Sequence, residues 1–164
     1  MKIFIFVLIL IQLIFVASID IKTHKISNYW SLVNVVLAVI FYLILKDIYV
    51  WSWEVLLFPV GFIVFGFIFF LMGIMGAGDS KYISSLFLTL PLEMHLEFFE
   101  KLLLSTVLVG AITLLVKVIP NFSKLKTYLL TRYWKGIKEI IRSRISYAPV
   151  ILLAWIVLGV GQWF

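Results

Sequence analysis

The sequence predicts an all-α membrane protein: six transmembrane helices, both termini on the extracytoplasmic side, and an amphipathic cytoplasmic helix between the fifth and sixth spans. Three observations predict it. First, the 164-residue chain is 64% hydrophobic and only 13% charged. Ordinary globular domains carry roughly 45–50% apolar and about 25% charged residues, so a water-soluble chain of this length could not hide the surplus. Second, the charges fall between uncharged runs close to the roughly 20 residues that cross a hydrocarbon core. Third, the basic residues crowd onto one set of alternate connectors, the pattern of cytoplasmic loops.

Dividing the chain at its charges gives the spans in order. The first is Lys2–Ile19. Lys2, an apolar stretch and the small residues Ala17 and Ser18 also fit a cleavable signal peptide, but the stretch exceeds the usual 7–15-residue signal core. The second is Ile26–Leu45 and the third Val55–Gly78, both without charge. The fourth starts near Tyr82, and only Tyr82–Leu92 is uncharged, with Pro91 interrupting it and Glu93 after it. It crosses only if the helix continues toward Phe99 with Glu93 and Glu97 at an interface; otherwise it is re-entrant. The fifth is Leu102–Val116 and the sixth Ile145–Phe164. Residues 1–164 are expected to form one domain.

With six spans, one face collects Lys22, Lys25, Lys81, Lys124, Lys126, Arg132, Lys135, Lys138, Arg142 and Arg144, which is ten of the fourteen basic residues. The positive-inside rule puts that face in the cytoplasm. A fourth segment that failed to cross would move the most basic connector outside. Tyr29, Trp30, Tyr82 and Tyr147 then mark the inner boundary, and Tyr49, Trp51, Trp53 and Trp163 the outer one. In the long basic connector, Phe122, Leu125, Leu129, Tyr133, Ile137, Ile140 or Ile141, and Ile145 recur at helical spacing. That pattern describes a helix lying on the membrane surface. The net charge of +6 therefore reports orientation, and no nucleic-acid partner is expected.

No cysteine is present, which excludes disulfides and cysteine-ligated zinc. His24 and His95 lie far apart and outside any metal-ligand spacing, so no metal or cofactor is expected. His24 reads as a solvated loop residue.

Two aspartates remain. Asp20 ends the first span and Asp79 the third, in "GAGDSK". Both odd-numbered spans run inward, so both carboxyls reach the cytoplasmic boundary at one depth. Ionisable groups at membrane depth are costly and mark functional sites. Two adjacent carboxyls cannot both ionise easily, so they share a proton. One then serves as general base toward water and the other as general acid, without a metal. A proton-coupled transporter also uses paired acids, but it would place them nearer the midplane on a polar path. A non-enzymatic assembly subunit is the third reading.

Gly76 and Gly78 beside Asp79 would allow unusual backbone angles and close approach of a substrate backbone. Gly61, Gly66 and Gly73 read as helix-packing positions. "GAGDSK" lacks the third glycine of a dinucleotide loop and the Gly-Lys of a phosphate loop.

"GAGDSK" resembles the GxGDxK motif of type IV prepilin peptidases, and "DIKTHKISN" resembles that family's first aspartate motif. Presenilin-like enzymes share GxGD, but a tyrosine precedes their first aspartate where Ile19 stands here. The resemblance implies an aspartic endopeptidase that cuts prepilin-like proteins at the cytoplasmic face, ahead of their N-terminal hydrophobic helix. Asp20 and Asp79 would be catalytic, and Gly76, Gly78, Lys81 and Asn28 would shape the site or position substrate. Lys81 would hold a substrate carboxylate or tune the pair, and Asn28 is expected to cap the second helix. Tyr147 and Pro149 are expected to start the last span. The cytoplasmic methylating insertion of larger members is missing, since only Ile21–Ser27 separate Asp20 from Asn28. The chain therefore resembles the small, peptidase-only members that serve Flp-type tight-adherence pili.

Overall fold

The computed structural model describes residues 2–72, 75–131 and 146–163. Among them the chain is entirely helical: α1 (Lys2–Thr23), α2 (Asn28–Ile44), α3 (Leu57–Leu71) entered through a 3₁₀ turn at Trp53–Leu56, α4 (Ala77–Leu88), α5 (Leu92–Val118), α6 (Phe122–Leu130) and α7 (Ala148–Trp163). Among the described residues three helices are long and apolar enough to cross a membrane, at Ile3–Thr23, Trp53–Leu71 and Leu92–Val116, and two shorter apolar helices cover Asn28–Ile44 and Ala148–Gly161.

The helices pack as two sets. α4 lies against α2 and α3, and α7 lies against α1 and α5. α1 turns one stripe inward: Ile5, Ile9, Leu13, Val16 and Asp20 are all at most 4% exposed. These positions recur every three or four residues, the spacing of one helical face, so Asp20 closes an otherwise apolar stripe. α5 does the same with His95, Phe98, Leu102 and Ser105. Beyond Thr106 no described side chain of α5 is buried. α4 is different: every residue from Tyr82 to Phe87 is buried, so protein encloses that stretch on all sides. Phe58, Phe87, Phe98 and His95 form an aromatic cluster at the end of α4 away from Asp79.

Two boundaries differ from expectation. The third helix stops at Leu71, before the glycines, so Asp79 does not end it; Asp79 belongs to the first turn of α4. The fourth helix neither starts at Tyr82 nor continues toward Phe99. It ends at Leu88, and Pro91 becomes the cap from which α5 runs without a break through Glu93, Glu97, Glu100 and Lys101. Proline lacks the N–H that a helix interior needs but is tolerated at a helix start, so it separates two helices here and interrupts neither. Of the long basic connector, Phe122–Leu130 is helical as α6, while Tyr133, Ile137, Ile140, Ile141 and Ile145 lie outside the described residues.

Among the small residues, Gly66 faces Ser80, with no room for a Cβ between α3 and α4. That is the packing role expected of it. A Cβ on Gly61 would meet nothing within 4 Å, so its lack of a side chain serves no close helix contact, and Gly73 lies outside the described residues.

Candidate active site

Asp20 lies in the last turn of α1 and is 2% exposed. Its Oδ2 accepts the backbone N–H of Ala148 at 3.0 Å. That N–H opens α7, where the first amides have no partner within their own helix and negative charge is favoured. Ser146 donates to the Asp20 carbonyl at 3.3 Å and pairs with His24 Nδ1 at 2.8 Å. The His24 N–H reaches the same carbonyl at 2.7 Å. His24 adopts φ 50°, a left-handed conformation that single residues use to end helices. His24 is exposed as expected, but it ties the end of α1 to the start of α7 and is not merely a loop residue.

Asp79 enters from the other set of helices. It is half-buried, and its Oδ2 accepts the Gly76 N–H at 3.1 Å while its own N–H reaches the Gly76 carbonyl at 3.1 Å. This reciprocal pair caps α4. Asp79 lies outside the apolar spans. Burial pushes its carboxyl up to about 6, the Gly76 N–H opposes the rise, and the charge of Asp20 adds to it. The two carboxyls are thus within electrostatic reach of each other. Tyr147, just ahead of α7, bonds Thr106 at 2.9 Å. The N–H of the next residue, Ala148, meets Asp20, so Tyr147 stands beside the site as well as at the start of the helix.

The glycines serve the chain's own packing. Gly76 has φ −76° and ψ 145°, an ordinary extended conformation, and Gly78 is helical, so neither supplies an unusual backbone angle. A Cβ on Gly78 would lie 2.5 Å from the Ile26 carbonyl oxygen, and one on Gly76 would lie 3.0 Å from Asp79 Oδ2. The close approach at Gly78 is to the 24–27 loop of the same molecule. It brings the first turn of α4 level with the end of α1.

Lys81 and Asn28 are not drawn in. Two residues along a helix is about 200° around its axis, so Lys81 points away from the face of Asp79. It is exposed and lines a groove with Ile63, Gly66, Phe67, Phe70 and Ser80. Asn28 is exposed and is the first helical residue of α2; the cap is Ser27, whose Oγ accepts the Tyr29 N–H at 3.3 Å. Sequence reasoning did not find the Ala148 N–H, Ser146, Thr106 or the Ile26 carbonyl. Two of these are backbone groups that any residue could supply. Among the described residues no cluster of His, Cys, Asp or Glu could hold a metal ion.

A family model, the type IV leader peptidase family, matches residues 7–119. That range contains both aspartates and the glycine motif. Among curated proteins and among solved structures nothing matches.

Proposed function

Since the chain belongs to the type IV leader peptidase family, we propose that it is an aspartic endopeptidase of the cytoplasmic membrane whose catalytic pair is Asp20 and Asp79. One observation carries the reading. Two carboxyls from separately packed helices, Asp20 buried and Asp79 half-buried, stand close enough for one to feel the other's charge. A structural role would place a basic partner there.

The roles follow from the surroundings. Asp79 is the proton-holding member, because burial raises its carboxyl to about 6. Asp20, whose Oδ2 accepts the Ala148 N–H, takes the part of the base. Asp20 accepts a proton from water as the oxygen attacks the scissile carbonyl. Asp79 donates its proton to the developing oxyanion. As the tetrahedral gem-diol collapses, the C–N bond breaks, the amine leaves with the proton that Asp20 took up, and one hydroxyl returns its proton to Asp79 as the carboxyl C=O re-forms. The Tyr147 hydroxyl, neutral and held by Thr106, borders the pair.

The substrate is a prepilin-like protein cut ahead of its N-terminal hydrophobic helix. The topology is six crossings with both termini outside and the site facing the cytoplasm; α4 is the fourth, packed on α2 and α3 and buried over Tyr82–Phe87, so it crosses without the extension toward Phe99 that a lipid-exposed segment would need. In its support, the ends of α1 and α3 and the starts of α2, α4 and α7 gather around Asp20, Ile26, Gly78 and Ala148. Lys22, Lys25, Lys81, Lys124 and Lys126 share that end of the chain's path.

The test is Asp20→Asn and Asp79→Asn in the membrane-inserted protein, assayed on a prepilin-like substrate with the new N-terminus mapped. Each should abolish cleavage while the protein remains inserted. Near-normal turnover by either variant would end the two-aspartate mechanism.

A further inference from the structure

Deeper in the bundle a second polar group of residues joins the helices that carry the two carboxyls. Gln12 of α1 donates through Nε2 to Asn34 Oδ1 of α2. Asn34 donates through Nδ2 to Ser85 Oγ of α4 at 3.1 Å. Ser85 donates its own proton to the Tyr82 carbonyl at 2.9 Å. Because that hydroxyl proton is committed, Ser85 can only accept from Asn34, which fixes the amide with its nitrogen toward α4 and its oxygen toward α1. Asn34 is 0% exposed, and Gln12 and Ser85 are buried.

The depth is consistent from α1 and from α4. Gln12 precedes Asp20 by eight residues and Ser85 follows Asp79 by six. At about 1.5 Å per residue the chain of bonds lies roughly 9–12 Å deeper than the carboxyls. The Gln12–Asn34 bond joins the helix set that holds Asp20 to the set that holds Asp79. Elsewhere the buried faces of α1 and α2 are almost wholly apolar, and apolar packing in lipid permits helices to slide and rotate. An amide with two directed bonds fixes one register.

We infer that Asn34 is a positioning residue, the clamp that fixes α1 against α4 and thereby the spacing of Asp20 and Asp79. The inference rests on the peptidase reading for its effect on catalysis, though not for its effect on helix spacing. Asn34 touches neither carboxyl, so its loss changes geometry and leaves every reacting group present.

The absence of cysteine makes the test direct. Spin labels go on cysteines replacing Thr23 and Lys81, both exposed, in the full chain in lipid nanodiscs, and the distance between them is measured with and without Asn34→Leu or Ser85→Ala. Cleavage kinetics are measured on the same two variants without labels. The clamp predicts a broadened or shifted distance distribution. It also predicts kcat lower by about tenfold or more with KM within about twofold, because misplacing a catalytic group by even about 1 Å is costly. Should Asn34→Leu fail to insert, Ser85→Ala, which removes a single hydroxyl, carries the test alone. Unchanged distances and unchanged kcat in the inserted variants would overturn the inference. Distances that move in a protein whose wild type cleaves nothing would remove the peptidase reading and leave the clamp standing.

Discussion

Gly78→Ala places one methyl group where the fold has no space for it. The new Cβ would lie 2.5 Å from the Ile26 carbonyl oxygen, whereas ordinary contact begins at 3.4 Å, so something must move by about 0.9 Å. Neither partner can swing aside. One is a Cβ fixed to a helical backbone, and the other is a carbonyl in the short loop between α1 and α2. The first turn of α4 must therefore back away from the end of α1, carrying Asp79, the next residue, with it. A displacement near 1 Å in a catalytic group costs roughly 100-fold in rate. Helix propensity acts the other way, since alanine is favoured over glycine by about 0.5–1 kcal/mol in a helix, so insertion and folding should suffer little. Gly61→Ala is the control: it gains the same propensity and meets nothing within 4 Å. The assay is initial cleavage rate per amount of inserted protein. A drop of about two orders of magnitude for Gly78→Ala, with Gly61→Ala near wild type, is expected. Rates within about twofold of wild type for both would mean that the contact at Ile26 does not set the position of Asp79, and the reasoning would fail.

Further outcomes follow from the same geometry. Asp79, raised to about 6, keeps its proton below that pH and loses it above, so a mechanism that needs the singly protonated pair should slow as pH rises through about 6. The alkaline limb should approach tenfold per unit, and a rate that climbs steadily from pH 6 to 9 would contradict the assignment of Asp79 as the acid. Cysteines introduced at Ser52 and Thr127 should label from opposite sides of the membrane with an impermeant thiol reagent. Labelling from one side alone would defeat the six-crossing topology.

The helical class was legible, and so were the stripe that leads to Asp20 and the motif that marks Asp79, because these rest on patterns that survive folding. An apolar face at helical spacing runs from Ile5 to Val16 and leads to Asp20, and the glycine motif marks Asp79 whichever helix owns it. Ownership itself was not legible. Charges mark where spans end, but the break after Leu71 occurs inside an uncharged run. Glu93–Lys101 carry charge and still belong to α5, with Pro91 as its start. The purpose of Gly78 could not be read either. A glycine that admits a substrate and one that admits the chain's own Ile26 carbonyl look identical in one dimension. Asn34 was overlooked because one amide in an apolar helix shows its partners only once α1 and α4 are seen on either side of it.

α4 spans 12 residues, about 18 Å of helix, against roughly 30 Å of hydrocarbon. A lipid-facing helix that short would have to thin the bilayer, and its depth would follow the thickness of the membrane around it. Enclosed from Tyr82 to Phe87 by its neighbours, α4 answers to no acyl chain. Its depth is set by the Gly66–Ser80 contact with α3 and the Asn34 bond from α2. The helices that meet lipid can tilt as membranes thicken or thin, while Asp79 keeps its height relative to Asp20. The protein is thereby arranged to do the same work in bilayers of different composition.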